Sequence, residues 1–156
     1  MLLLLLACTS GDDSASTKDP SGCEAGSNPV LTLGKGELSY APMDAGDGTV
    51  ELVHGPQGGF HTVIALEAVA ADAASEWTVQ IRGYLADVER ATTTPYVTMQ
   101  CNNQTGTLQA WGFLLIWDAQ PEELDGQRVH MEADGQDAAG TALSAAVDVV
   151  IEDPSI

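Results

Sequence analysis

The sequence predicts an all-β domain of seven to nine short strands arranged as two packed sheets. From Val30 onward, Gly, Asp, Asn and Pro recur at short intervals and separate runs rich in Val, Ile, Leu, Thr and aromatic residues. Such runs between turn-forming residues are typical of strands. In one run, Trp77, Val79 and Ile81 alternate with polar residues, which places the apolar side chains on one face. This number of strands in about 125 residues favours a two-sheet sandwich, with a closed β-barrel as the alternative.

Nine segments fit the strand pattern, and turn-forming residues separate them. In chain order, the predicted strands are Val30–Leu33, Glu37–Ala41, Thr49–His54, Phe60–Val69, Trp77–Ala86, Tyr96–Cys101, Gly106–Asp118, Arg128–Glu132 and Thr141–Glu152. The Ala-rich segment from Ala68 to Ser75 is too short and too weakly periodic for a core helix, so we expect a helical turn at most. The segment Pro121-Glu122-Glu123-Leu124 predicts one short helical turn ahead of the next strand.

The N-terminus resembles a targeting signal, and the alternative is a chance run of leucines in front of a structural cysteine. The stretch Leu5-Leu6-Ala7-Cys8 resembles the lipobox of bacterial lipoproteins, which implies cleavage before Cys8 and attachment of lipid to its sulfur and its new amine. Several acyl chains would hold the protein firmly at a membrane, since each buried methylene contributes about 0.8 kcal/mol. The apolar segment is short and lacks a preceding basic residue, so we expect an upstream portion of the leader. Thr9 directly after Cys8 resembles the pattern of lipoproteins sorted to the outer membrane.

Three segments follow from this organisation: a signal segment at residues 1–7, a lipidated cysteine with a flexible tether at 8–28, and the β-domain at 29–156. The tether is small, polar and turn-prone and offers nothing that could form a buried face. With Cys8 used for lipid, Cys23 and Cys101 remain as a pair in an oxidising compartment. We expect a disulfide bond between them that fastens the end of the tether to the domain; two unpaired thiols or an intermolecular bridge are the alternatives.

The end of the chain points to a more specific fold. The segment from Leu124 to Val129, a strand, the turn Asp137-Ala138-Ala139-Gly140 and a final strand resemble the closing hairpin of bacterial immunoglobulin-like modules. In those modules a D-x-x-G turn joins the last two strands. The resemblance implies an immunoglobulin-like antiparallel β-sandwich. The two remaining cysteines do not match the inter-sheet bridge of antibody domains, so the likeness is to the broad class.

The segment from His54 to His61 is the most unusual part of the sequence and contains two of the three histidines. If Pro56 to Gly59 form a four-residue hairpin loop, His54 lies opposite His61 with the Cβ atoms about 5 Å apart. Two facing imidazoles are able to share a Zn²⁺ or Cu²⁺ ion, with His130, Asp47 and Glu37 as candidates for further ligands. The alternatives are a structural turn and a loop that contacts a partner. The binding loop so predicted comprises His54, Gly55, Pro56, Gln57, Gly58, Gly59 and His61.

The longer string from Glu51 to His61 resembles a motif in uncharacterised lipoproteins of myxobacteria and related bacteria. That group has no assigned activity, so the resemblance implies a location and a fold and adds no chemistry.

Two acidic segments lack the features of an EF-hand calcium loop and suit turns between strands. They are Asp44-Ala45-Gly46-Asp47-Gly48 and Asp134-Gly135-Gln136-Asp137. Trp111 and Trp117 have equal parity on one predicted strand and could share a face as a platform on which a sugar stacks, although core positions are the simpler interpretation.

Composition excludes several classes of function. The 156 residues include 23 acidic and 5 basic side chains, which gives a net charge of −18 at pH 7. Nucleic-acid binding requires Lys and Arg that face phosphates, so we expect no nucleic-acid partner. No apolar run reaches the roughly 18 residues needed to span a bilayer.

The motifs that carry common enzyme chemistry do not occur in the sequence. It contains no G-x-S-x-G, no H-E-x-x-H and no phosphate-binding Gly-Lys loop. We therefore expect no enzymatic activity and no cofactor. The sequence predicts a lipid-anchored, non-catalytic module that contacts an unknown envelope component. The alternative is a periplasmic copper or zinc protein that uses His54 and His61.

Overall fold

The computed structural model describes residues 22–44 and 48–156, and this part of the chain is predominantly β. Twelve strands and one helical turn follow one another along it. They are β1 Val30–Lys35, β2 Ala41–Pro42, β3 Thr49–Glu51, β4 Val53–His54, β5 Phe60–Val69, β6 Trp77–Leu85, β7 Val88–Thr93, β8 Tyr96–Val97, β9 Gln100–Asn102, β10 Thr107–Trp117, α1 Pro121–Leu124, β11 Arg128–Gln136 and β12 Ala142–Glu152. Among the residues described, no helix has the length and apolar character needed to cross a membrane.

Strand pairing follows the order β2-β1-β5-β10-β7-β6-β11-β12-β3, with β4, β8 and β9 paired to β5, β6 and β10 respectively. Neighbouring strands are antiparallel except for β12 and β3, which are parallel. The connection between β10 and β7 consists of one residue pair, Trp117 with Ala91. The sheet therefore divides into a first group around β1, β5 and β10 and a second group around β6, β11 and β12.

One cluster of buried side chains draws on both groups of strands. Ile64 and Leu115 come from the first group, while Ile81 and Met131 come from the second, and all four are fully buried. The alternation in β6 puts its buried side chains on the face that joins this cluster. At Gly83 the packing has no room for a side chain, because a Cβ atom there would lie 2.5 Å from the indole of Trp117.

Most predicted strands are confirmed. The predicted strands Thr49–His54 and Tyr96–Cys101 are each interrupted and form β3 with β4, and β8 with β9. Two further differences have local causes. Glu37–Ala41 is mainly a loop, with strand pairing only at Ala41–Pro42. The strand Val88–Thr93 was not predicted, because its mostly polar residues show no apolar alternation. It follows a two-residue turn in which Ala86 and Asp87 both have positive φ. Such a turn is normally signalled by Asn-Gly or Asp-Gly, and neither occurs at Ala86 and Asp87.

The predicted turn of helix at Pro121–Leu124 is confirmed. The segment from Ala68 to Ser75 contains no helical turn.

The closing hairpin has the predicted turn. Strands β11 and β12 pair over their length, and the Asp137 amide donates to the Thr141 carbonyl across the turn. The Asp137 carboxylate accepts backbone N–H groups from Ala139, Thr141 and Asp72, while Gly140 supplies the positive φ that the turn needs. Burial alone would raise the pKa of Asp137, but these N–H donors and the Thr141 hydroxyl outweigh it and hold the pKa below its ordinary value.

Candidate functional site

The histidine hairpin forms with a register that differs by one residue from the expected one. Val53 pairs with His61 and His54 pairs with Phe60. Five residues, Gly55 to Gly59, rather than four therefore separate the paired residues His54 and Phe60, and the amide of Gly55 donates to the carbonyl of Gly59 across this loop at 2.8 Å. Gly58 adopts a φ of +81° inside this loop, which favours glycine.

This register separates the two imidazoles. Cross-strand partners share a face, so His54 lies with Phe60 on one face and His61 lies with Val53 on the other. The expectation that His54 and His61 stand opposite each other is therefore wrong. Of the further ligands considered, His130 contacts other acidic side chains, and Asp47 lies outside the described residues. Across residues 22–44 and 48–156, no group of three or more His, Cys, Asp or Glu side chains is arranged to hold a metal ion.

His54 instead joins the hairpin to the end of the chain. Its Nε2 lies 2.7 Å from Oδ2 of Asp153 and 3.1 Å from Oγ of Ser155. The Ser155 hydroxyl and amide both donate to Oδ1 of Asp153, at 2.6 and 2.9 Å. The ring of His54 packs edge-on against Phe60, with centroids 5.0 Å apart. The side chain of Asp153 is fully buried by these contacts.

The Asp153 carboxyl is held in its ionised form. Hydrogen bonds from the Ser155 hydroxyl and amide, together with the contact and charge of His54, outweigh burial and lower the pKa of Asp153. A carboxylate with this many donors is a structural anchor for the C-terminal residues.

Ser155, His54 and Asp153 are the residue types of a hydrolase triad, but their arrangement differs from one. In such a triad the aspartate binds Nδ1 of the histidine and leaves Nε2 to take the proton of the serine. Here the serine hydroxyl and the aspartate both lie at Nε2. The serine also hydrogen-bonds directly to the aspartate. This geometry provides no relay for activating the hydroxyl.

A second polar cluster lies on the exposed face of β6, β11 and β12. Nδ1 of His130 is 2.7 Å from Oδ1 of Asp148, and its Nε2 is 3.4 Å from Oε1 of Glu132. Arg82 pairs with Glu132 and with Asp134 on the same face. The hydrogen bond to Asp148 is the main cause that raises the pKa of His130. These contacts match charges across neighbouring strands.

A cavity of about 390 Å³ opens where β5 changes its pairing partner from β1 to β4. Its wall is apolar at Val50, Val53 and Val63. Its other lining residues are Lys35, Gly36, Glu37 and Glu51. Sequence patterns did not predict this cavity, although Glu37 was a candidate ligand, because its residues come from four separate segments and no local pattern connects them.

The predicted disulfide bond is present between Cys23 and Cys101, with Cα atoms 5.7 Å apart. Cys101 pairs with Leu108, which in turn pairs with Ala68. The disulfide therefore lies at one end of β5, and the histidine hairpin lies at the other. Close to the bridge, the Gly26 amide donates to the carbonyl of Ala70 at 2.8 Å, so the end of the predicted tether contacts the domain. Cys8 lies outside the described residues.

Trp111 and Trp117 do not share a face. A β-bulge between Ala110 and Phe113 reverses the alternation of β10. Trp117 is buried in the core and Trp111 is half-buried. Of the second acidic segment, only Asp137 lies in the closing turn, whereas Asp134, Gly135 and Gln136 belong to strand β11. The first acidic turn contains residues 45–47, which are not described.

Comparison of the chain with protein-family models and with curated proteins found no match.

Proposed function

We propose that the chain is a lipid-anchored cell-envelope protein whose domain is a non-catalytic, immunoglobulin-like binding module. On this proposal Cys8 carries the lipid, residues 8–28 form the tether, and the outer membrane is the favoured location. The domain would present a surface to another envelope component. The likeness to lipoproteins of myxobacteria, drawn from the string between Glu51 and His61, is part of the same proposal.

The strand order supports the immunoglobulin-like assignment. In that fold, strands A, B, E and D form one sheet, while C, F and G form the other. We assign the letters A to G, in chain order, to β1, β5, β6, β9, β10, β11 and β12. The sheet A-B-E-D then corresponds to β1-β5-β10-β9, and the sheet C-F-G corresponds to β6-β11-β12. In both sets, consecutive strands are paired with each other. The closing hairpin and its Asp137 turn agree with this assignment.

The Cys23–Cys101 bond is the observation that carries the proposed location. Disulfides persist mainly outside the reducing cytoplasm. The bridge also joins the residues that follow the lipobox directly to a strand pair of the domain. A domain on a lipid anchor gains a fixed attachment point from such a bond.

The proposal that the domain is non-catalytic has two supports, the geometry around His54 and the lack of common catalytic motifs in the sequence. Ser155 and Asp153 meet the same nitrogen of His54, which supplies no relay. In the sequence the common nucleophile and metalloprotease motifs do not occur.

Mass spectrometry of the natural protein purified from its envelope tests the anchor. We expect an N-terminal peptide that begins at Cys8 and carries the mass of a diacylglyceryl group and an acyl chain. A Cys8→Ser variant serves as the matched control and should remain unlipidated and uncleaved. An intact Met1 with a free thiol at Cys8 in the natural protein would contradict the proposal.

A further inference from the structure

The outer face of the first strand group carries an apolar strip that continues into the cavity at β5. Leu114 and Ile116 project from β10 with 47% and 60% of their surfaces exposed, and because they are two positions apart on one strand they lie side by side on the same face. Leu114 pairs with Val63, and Ile116 pairs with His61, which pairs in turn with Val53. We call Val53, His61, Val63, Leu114 and Ile116 the apolar strip.

The strip and the cavity form one surface. Val53 and Val63 belong to the strip and also line the cavity. Cross-strand neighbours on one face lie about 5 Å apart, so the apolar surface runs without interruption from β10 across β5 to the cavity. A small molecule inside the cavity would leave Leu114 and Ile116 uncovered. A peptide segment is long enough to cover both.

The charges around this surface favour a cationic occupant. Glu37 and Glu51 line the cavity, and Glu51 pairs with Glu152 of β12. The one cationic side chain in the lining, Lys35, already donates a hydrogen bond to the Thr49 carbonyl. The net charge of the chain is −18, so an acidic partner would be repelled and a basic one attracted.

We infer that the apolar strip and the adjoining cavity form a docking surface for a basic segment of a partner protein that carries both apolar and cationic side chains. The apolar side chains would cover the strip and enter the cavity, while the cationic ones would face Glu37 and Glu51. The inference rests on the proposed function, because it names the surface and the partner class of the binding module. Its test is done in solution and is independent of the lipid, so the two proposals can fail separately.

The probe is an acetylated and amidated heptapeptide of alternating lysine and leucine, titrated calorimetrically into the full-length chain at low salt. A serine–leucine peptide tests the need for charge, and a glutamate–leucine peptide tests its sign. We expect the lysine–leucine peptide to bind at least about tenfold more tightly than either control. Equal binding of the serine–leucine peptide would overturn the inference.

Variants distinguish binding at the apolar strip from attraction by the net charge of the chain. A Leu114→Ser/Ile116→Ser variant should weaken binding at least about tenfold, because two aliphatic side chains no longer bury apolar surface. Val88→Ser is the matched control, since Val88 is 58% exposed on β7 in the other strand group. A Glu37→Gln/Glu51→Gln variant should weaken binding several-fold, whereas Glu76→Gln/Glu122→Gln removes equal charge elsewhere and should not. Unchanged binding by the serine variant would show that the peptide only senses net charge and would overturn the inference.

A measurement on the unmodified chain guards against misfolded variants. Amide chemical shifts that change on peptide addition should cluster on β4, β5 and β10 and around the cavity. Changes confined to β6, β11 and β12 would overturn the inference. Sedimentation tests a second copy as the occupant: a dimer of the unmodified chain that the serine variant abolishes would also overturn it.

Discussion

Nε2 of His54 lies 2.7 Å from Oδ2 of Asp153, across 99 positions of sequence. The contact joins the hairpin before β5 to the residues that follow β12. The amide of Asp153 also donates to the side chain of Asp125 at 2.9 Å, so the same residue reaches the turn after α1. Three separate segments therefore meet at one residue, Asp153, through its carboxylate and its amide.

Stability should fall in acid because of this carboxylate. The pKa of Asp153 is lower in the folded chain than its ordinary value of 3.8. Its stabilising contribution is therefore complete well above that value and is lost as the pH falls through the lower, folded pKa. We expect Asp153→Asn to lower the melting temperature at pH 7 and to reduce the difference between pH 7 and pH 3. Thermal unfolding across this range measures both effects.

Asp148→Asn is the control for that measurement, since Asp148 also contacts a histidine but its side chain is about half exposed. It should change the fall in melting temperature between pH 7 and pH 3 much less than Asp153→Asn does. If the natural chain and Asp153→Asn lose the same melting temperature between pH 7 and pH 3, Asp153 does not contribute as described.

The sequence predicted local features of the fold better than long-range ones. The turn at Asp137 and Gly140 was predictable, because its hydrogen bonds mostly join residues within four positions. The disulfide between Cys23 and Cys101 followed from the number of cysteines and their compartment. These signals can be read without knowing how distant segments pack.

The register of the histidine hairpin was not predictable in the same way. Loops of four and five residues both suit the Gly- and Pro-rich segment, and a shift of one position moves His61 to the opposite face. The register that forms allows His54 to reach Asp153, a partner that no local pattern reveals. The cavity beside Val63 was missed for the same reason.

His130 should titrate above its ordinary value. The hydrogen bond to Asp148 is the largest cause, burial opposes it, and the charges of Asp148 and Glu132 with the hydrogen bond to Glu132 raise the pKa further. Because the pKa of His130 is higher in the folded chain than in the unfolded chain, the protonated imidazole stabilises the fold. This contribution is complete below about pH 6.5, the ordinary pKa of histidine, and is lost as the pH rises through the pKa of His130 in the folded chain. Proton NMR of the imidazole measures the pKa directly. Asp148→Asn should lower it, and an unchanged titration curve in that variant would contradict the assigned cause.

Gly83 should tolerate no side chain. A Cβ atom there would lie 2.5 Å from the Trp117 ring, which is buried and cannot move aside freely. We expect Gly83→Ala to reduce the free energy of unfolding by about 1–3 kcal/mol, the usual cost of overpacking. Gly59→Ala is the matched control, because a Cβ atom added at Gly59 would meet no other atom within 4 Å. Urea unfolding compares the two, and equal stabilities would argue against close packing of β6 on β10.

Removal of the disulfide should destabilise the domain without changing its strand pairing. The bond closes a loop between residues that are 78 positions apart, and it restricts the unfolded chain. A Cys23→Ala/Cys101→Ala variant should lose about 2–4 kcal/mol of unfolding free energy. Chemical reduction of the natural chain should have a similar effect and provides an independent comparison. Because Cys101 pairs with Leu108 through backbone hydrogen bonds that the variant keeps, its far-UV circular dichroism should match that of the natural chain. A variant as stable as the oxidised chain would mean that the segment before β1 is held to the domain by contacts other than this bond.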